Sequence, residues 1–133
     1  MKTLTFGSYN LENGGLDASM RDGRLVRQLA MLADAHADAW AIQEAKHWAA
    51  DGCHYLHFAE QRLGMRGFLA PSSHHGCDLA VFVRESSGIT VVAQRHEVGQ
   101  PYWHQRNRAV VKSSDVNPRE SSVLGACRRL RYS

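Results

Sequence analysis

The sequence predicts a small α/β domain. Residues 3–10 alternate between the two faces with a period of two, which is typical of a β-strand. Residues 19–36 place apolar side chains at helical spacing, and residues 38–43 form a short apolar run. The order strand, helix, strand predicts a β-α-β unit whose helix packs on a sheet. A chain of 133 residues has room for one such domain.

The first helix is predicted from one apolar face, and a turn leads into it. The turn covers residues 11–16, where Asn-Gly-Gly interrupts any regular element. On the helix, four residues recur at spacings of four, three and four: Leu25, Leu29, Leu32 and His36. We therefore expect His36 to lie in the core or at its boundary.

The remaining predicted elements are one helix and four strands. We predict a helix over residues 49–64 that ends at Gly64, and strands over residues 67–70, 78–84, 89–97 and 108–111. The strand at 78–84 has apolar residues on both faces, which predicts a central position in the sheet. The strands at 78–84 and 89–97 are separated by a tight turn, which predicts an antiparallel hairpin.

The composition changes after Val111. Residues 1–111 carry eleven basic and eleven acidic residues, so the net charge of +3 comes entirely from residues 112–133. We predict a folded domain over residues 1–111 and a basic tail over 112–133 that is disordered or outside the fold. The pI near 9.0 therefore does not by itself indicate a basic binding surface.

The N-terminus and the cysteines bear on the compartment. The N-terminus lacks the apolar segment of a signal peptide, and no apolar run is long enough to span a membrane, which predicts a cytosolic location. The cysteines are odd in number and widely spaced, which favours idle thiols over a disulfide framework or a cysteine zinc site: Cys53, Cys77 and Cys127.

Two polar residues end the first two predicted strands. Asn10 follows the first strand and Glu44 follows the second. If both strands lie in one sheet, both side chains emerge at the same edge, where open α/β sheets place their sites. A carboxylate beside a carboxamide suits Mg²⁺ with a bound phosphate, since Mg²⁺ is often held by one or two carboxylates and water.

The segments that contain these residues resemble the first two motifs of the endonuclease/exonuclease/phosphatase superfamily. The matching residues are Ser8-Tyr9-Asn10 at the end of one strand and Ile42-Gln43-Glu44 at the end of the next. The resemblance implies a four-layer α/β/β/α sandwich, of which this chain would be the N-terminal half, with a mixed sheet and helices on one face. It also implies Mg²⁺- or Mn²⁺-dependent hydrolysis of a phosphodiester or phosphomonoester such as nucleic acid, with Glu44 as metal ligand and Asn10 holding the metal or phosphate.

The later motifs of that family are missing from this sequence. They are a strand ending in His, a Gly-Asp-x-Asn turn and a terminal Ser-Asp-His, yet the last histidine here is His104. We therefore predict a truncated enzyme of doubtful activity, or one that self-associates through the sheet face that its missing half would cover.

Three further residues are candidate substrate contacts: His74, His75 and Arg108. A dedicated zinc site is disfavoured, because adjacent histidines on a loop more often diverge than converge. Two alternatives to an enzyme remain open. The chain is either an inactive fragment or a non-catalytic module in which Asn13-Gly14-Gly15 cradles a phosphate or nucleotide at a helix N-terminus.

Overall fold

Six strands, two α-helices and two short 3₁₀ helices make up the described part of the chain. The computed structural model describes residues 2–71, 78–97 and 108–113, with the backbone alone at 95–97 and 108–113. The elements are β1 (Phe6–Asn10), α1 (Gly23–Asp34), β2 (Ala39–Gln43), α2 (Ala50–Leu63), β3 (Arg66–Ala70), β4 (Leu79–Val83), β5 (Val91–Glu97) and β6 (Arg108–Ser113).

The first sheet has four strands in the order β1-β2-β4-β3. Strand β1 runs parallel to β2, and β4 runs antiparallel to both β2 and β3. The sheet is therefore mixed, which confirms the predicted α/β class. Strand β4 has a neighbour on each side, which confirms its predicted central position and agrees with its apolar character on both faces.

The predicted hairpin between the strands at 78–84 and 89–97 is wrong. Both edges of β4 are already occupied by β2 and β3, so no edge is free for β5. A short 3₁₀ helix at Glu85–Ser87 and a left-handed Gly88 (φ 87°) turn the chain away. Strand β5 instead pairs with β6 in a separate two-stranded sheet. Strand β6 continues through Ser113, two residues beyond the predicted domain boundary.

Helix α1 contributes the predicted apolar face to the core. Leu25, Leu29 and Leu32 are buried in one cluster with Ile42 of β2 and Phe82 of β4. The helix begins four residues later than predicted, at Gly23, and it ends at Asp34.

The prediction that His36 lies in the core or at its boundary is wrong. His36 follows the end of α1, has a left-handed φ of 52° and is exposed. Its position at helical spacing has no effect once the helix has ended.

Helix α2 packs on the same sheet face and ends as predicted, with Gly64 in the left-handed conformation donating its N–H to Glu60 O. The buried Glu60 carboxylate accepts hydrogen bonds from Gly67 N (3.0 Å) and is paired with His57 Nδ1 (3.0 Å). A Cβ on Gly67 would lie 2.7 Å from the ring of its cross-strand partner Phe82, so glycine leaves room for this ring between the sheet and α2.

The opposite face of the sheet is covered over only part of its width. Phe68 on β3 and Val83 on β4 are buried, and β6 lies against these two strands. On the β1 side, Phe6 is 69% exposed and Leu4 is 38% exposed. The open region is apolar, and the four-layer arrangement implied by the resemblance stays a prediction.

The helices and the cysteines of the described residues were also the subject of predictions from the sequence. In the described ranges, neither helix has the length and apolar character needed to cross a bilayer. Cys53 is buried and disulfide-bonded, so the prediction of an idle thiol is wrong at this position. Cys77 and Cys127 lie outside the described residues.

Candidate functional site

The carboxyl ends of β1 and β2 lie side by side. The parallel register pairs Phe6 with Ala39 at one end and Asn10 with Gln43 at the other, so Glu44 emerges directly beside Asn10. Asn10 Nδ2 donates a hydrogen bond to Glu44 Oε1 at 3.2 Å. The structure therefore brings together the two residues that the sequence placed at one sheet edge.

The Glu44 carboxylate is held at both oxygens. Oε1 accepts from the Asn10 amide, and Oε2 accepts from the backbone N–H of Asn13 at 3.3 Å. Both donors are neutral, so neither contact brings a positive charge to the carboxylate. A carboxylate oxygen has more than one acceptor position. The two hydrogen bonds thus orient the group and leave it able to bind a cation.

The Asn10 side chain has its own fixed orientation. Its Oδ1 accepts the N–H of Glu12 at 2.8 Å, which is an Asx turn immediately after β1. If the amide were flipped, its NH₂ group would face the Glu12 N–H and its oxygen would face a carboxylate oxygen. The hydrogen-bond network therefore specifies which end of the amide faces Glu44.

The loop after β1 is locked to the loop after β2 through Gly14. Gly14 N donates to Glu44 O at 2.8 Å, and Gly14 O accepts from the buried indole of Trp48 at 3.0 Å. Gly14 has a φ of 68°, and a Cβ there would lie 2.1 Å from Lys46 O. Only glycine fits at this position without displacing the Lys46 backbone.

The roles of Asn13, Gly14 and Trp48 in holding Glu44 were missed from the sequence. The signal available was the Asn-Gly-Gly turn, which predicts a special backbone conformation but does not name its partner. Trp48 follows Glu44 by four residues, yet nothing in the sequence distinguishes it from an ordinary core residue.

The alternative anion cradle at Asn13-Gly14-Gly15 is wrong. The three N–H groups already donate to Glu44 Oε2, Glu44 O and Glu12 O, respectively. Residues 13–15 form a single turn of 3₁₀ helix, and α1 begins only at Gly23, so these amides do not lie at the N-terminus of α1. The described geometry thus removes the feature on which the nucleotide-binding module depended.

The other candidate residues are not brought to this site by the described structure. His74 and His75 lie outside the described residues. Arg108 is the first residue of β6, in the second sheet, and its side chain is outside the described part of the chain. Their assignment as substrate contacts stays a prediction.

The described residues restrict the kind of metal centre at this site. Across residues 2–71, 78–97 and 108–113, no group of three or more His, Cys, Asp or Glu side chains converges to hold a metal ion. A closed, all-protein site of the zinc type is therefore not formed by these residues. Glu44 offers one carboxylate, and Asn10 supports it through Nδ2 while its Oδ1 accepts from the Glu12 N–H. One carboxylate is enough only for an open Mg²⁺ or Mn²⁺ site, in which water and a substrate phosphate supply the other ligands.

No protein-family model, curated protein or solved structure matches this chain.

Proposed function

We propose that this chain carries half of the active site of a divalent-metal-dependent phosphoric-ester hydrolase of the endonuclease/exonuclease/phosphatase type. Glu44 is the proposed ligand for Mg²⁺ or Mn²⁺, and the substrate is a phosphodiester or phosphomonoester such as nucleic acid. The observation that supports the proposal most directly is the contact between Asn10 Nδ2 and Glu44 Oε1 across two parallel strand ends.

The chain's own residues prepare the carboxylate for a cation. Asn10 and the Asn13 amide fix both Glu44 oxygens, so little orientational freedom is lost when a cation binds. Such supporting contacts typically change metal affinity or activity by about 10–100-fold. When bound, the metal supplies positive charge that polarises the phosphoryl oxygens and stabilises the leaving oxygen.

Hydrolysis of bis(p-nitrophenyl) phosphate by the full chain, with and without Mg²⁺ or Mn²⁺, tests the proposal. We expect metal-dependent turnover that Glu44→Gln lowers by more than about 100-fold, because a metal ligand contributes more than the groups that support it. The matched control is Asp38→Asn, since Asp38 flanks the other end of β2. Turnover that is independent of metal, or that survives Glu44→Gln, would contradict the proposal.

An inactive fragment is the alternative favoured by the sequence, because the family's Ser-Asp-His motif is missing. The two cases separate in one further measurement. An inactive fragment binds Mn²⁺ in a Glu44-dependent manner without turnover, whereas a chain with neither turnover nor Mn²⁺ binding at Glu44 is not of this type.

Self-association through the open sheet face is a separate part of the proposal. Phe6 and Leu4 are exposed on edge strand β1 and the residues just before it, and burying such apolar area favours association with a second copy. Sedimentation velocity should show a concentration-dependent dimer that Phe6→Ser weakens. A monomer at all concentrations would contradict this part alone.

A cytosolic location stays a proposal, and the disulfide-bonded Cys53 counts against it, because disulfides persist mainly in oxidising compartments. Counting free thiols in the denatured chain, purified without reductant from the cells that naturally make it, tests the location. Three free thiols would agree with a reducing cytosol, and a disulfide would contradict it.

A further inference from the structure

Two side chains of α1 reach the loop that supports Glu44. We call residues 11–16 the site loop. Arg24 Nη2 donates to Glu12 O (2.5 Å) and to Leu16 O (3.0 Å). Gln28 Nε2 donates to Leu11 O at 3.0 Å. Arg24 and Gln28 are four residues apart on the helix, so both project from the same face.

The carbonyl groups and the amide groups of the site loop form hydrogen bonds with different parts of the fold. Its carbonyl groups at Leu11, Glu12 and Leu16 accept from α1 side chains, whereas its amide groups at Asn13 and Gly14 donate to Glu44. The carbonyl of one residue and the N–H of the next belong to one planar peptide unit. Fixing Glu12 O therefore also fixes the direction of the Asn13 N–H, and fixing Leu11 O fixes that of the Glu12 N–H, which donates to Asn10 Oδ1. Helix α1 is thus connected to Glu44 through the backbone of the site loop.

The packing of Gln28 is not explained by stability alone. Gln28 Oε1 and Arg24 Nε are buried and have no hydrogen-bond partner within the described ranges. Buried polar atoms without partners are unfavourable, and an apolar side chain of similar shape at position 28 would avoid one of them. Gly15 (φ 78°) admits Gln28 closely, since a Cβ there would lie 2.8 Å from Oε1. This close fit directs the Gln28 amide at Leu11 O.

We propose that Arg24 and Gln28 are positioning residues that act on Glu44 through the site loop. They hold the loop so that the Asn13 amide stays on Glu44 Oε2 and the Glu12 amide stays on Asn10 Oδ1, the side chain that donates to Glu44 Oε1. The consequence for metal binding rests on the proposed function, in which Glu44 is the ligand. The consequence for the loop itself does not.

The test compares Gln28→Leu with wild type in the full chain by ¹⁵N NMR. Leucine keeps the approximate shape, loses the bond to Leu11 O and removes the unpaired Oε1. We expect hydrogen exchange at the Glu12 and Asn13 amides to accelerate roughly 5–10-fold without metal, as for loss of one hydrogen bond. We expect the affinity for Mn²⁺, followed by line broadening at these amides, to fall about 10-fold.

The matched control is Arg84→Leu, which removes a side-chain hydrogen bond to a backbone carbonyl, Ala37 O, at the opposite end of β2. It should change neither exchange at the site loop nor Mn²⁺ affinity. If Gln28→Leu does not fold, Arg24→Lys is the second variant, because lysine keeps the charge but cannot span two carbonyl oxygens with one planar group.

The outcomes separate this proposal from the proposed function. If wild type binds Mn²⁺ and Gln28→Leu binds it equally, with unchanged amide exchange, the positioning role is overturned. If wild type binds no Mn²⁺ near Glu44, the proposed function fails, and amide exchange alone decides whether Gln28 holds the site loop. Equal effects of Gln28→Leu and Arg84→Leu would reduce the role to general stability and overturn the proposal.

Discussion

The two ends of β2 are flanked by two carboxylates that differ in their surroundings. Asp38 precedes the strand and Glu44 follows it, roughly 20 Å apart along the extended chain. Asp38 Oδ2 accepts the N–H of Thr5 at 2.8 Å, which joins the starts of β1 and β2. Glu44 joins the ends of the same two strands, but through the Asn10 side chain and the amide of Asn13.

The two ends of β2 differ in the backbone strain of the loops that flank them. Eight non-glycine residues in the described ranges have left-handed φ values, and four of them lie in the loops around Glu44: Glu12 (58°), Asn13 (53°), Glu44 (55°) and His47 (69°). Only His36 (52°) lies near Asp38. Left-handed conformations of such residues cost energy and persist where surrounding contacts fix them, often at functional sites. The comparison indicates that Asp38 stabilises the fold, whereas the strained loops that hold Glu44 lower the stability of the fold.

The largest expected effect comes from Gly14→Ala, compared with Gly64→Ala. Both glycines are left-handed, with φ values of 68° and 62°. A Cβ at Gly14 would lie 2.1 Å from Lys46 O, whereas nothing lies within 4 Å of a Cβ at Gly64. We expect Gly64→Ala to cost about 1 kcal/mol in the free energy of unfolding from backbone strain. Gly14→Ala adds overpacking and should cost about 3 kcal/mol.

Urea denaturation of the two variants measures this difference. Equal losses in the free energy of unfolding would mean that the loops around Glu44 are not locked through Gly14. The two ends of β2 would then not differ in how tightly their flanking loops are held.

The next largest effect is expected from Asn10→Asp. The substitution replaces the amide donor by a carboxylate oxygen about 3.2 Å from Glu44 Oε1. Repulsion between these exposed like charges should lower the free energy of unfolding without metal by about 1–2 kcal/mol. A divalent cation between the two carboxylates would relieve the repulsion. The variant should therefore gain more in Tm from Mg²⁺ than wild type does, and an unchanged metal-free Tm would contradict the observed contact.

Asp38→Ala should have a smaller effect and none on the metal site. Thr5 N loses its carboxylate acceptor, but this amide is exposed and water replaces the lost partner. We expect a loss of about 1 kcal/mol in the free energy of unfolding, measured by urea denaturation. Mn²⁺ affinity measured on the same samples should not change. A fall in Mn²⁺ affinity as large as that caused by Gln28→Leu would mean that the two strand ends are not independent.

The sequence predicted the parts of this structure that depend on local pattern. Leu25, Leu29 and Leu32 are buried as their spacing requires, and Gly64 ends its helix in the left-handed conformation. The proximity of Asn10 and Glu44 followed from one assumption, that the first two strands are parallel neighbours. Strand ends in such a pair necessarily meet, so two residues 34 positions apart could be placed together.

What the sequence could not predict depends on contacts between distant segments. The hairpin prediction failed because it used the turn at Glu85–Ser87 and not the occupancy of both edges of β4. The roles of Trp48 and Gln28 depend on which carbonyl oxygen each side chain reaches in three dimensions. Tryptophan and glutamine occur at many helix and loop positions, so neither residue type indicates a particular hydrogen-bond partner.

The smallest expected effect concerns Asp17, an exposed carboxylate in the segment between the site loop and α1. Hydrogen bonding from the backbone N–H of Arg21, with further contacts from the Arg21 side chain and Ser19 N, outweighs burial and lowers the pKa of Asp17. A carboxyl group whose pKa is lower in the folded state binds protons more readily when the chain is unfolded. Its contribution to stability is therefore complete above the unfolded pKa and is lost as the pH falls through the folded pKa.

We accordingly expect wild type to lose slightly more stability on acidification than Asp17→Asn, in which the side-chain carbonyl still accepts hydrogen bonds but carries no charge. Urea midpoints at neutral and acidic pH measure the difference between the two proteins. Because Asp17 is on the surface, solvent screens the effect, and it should remain smaller than that of Asp38→Ala at neutral pH. If acidification affects both proteins equally, the contacts of Asp17 order the backbone ahead of α1 without its charge contributing to stability.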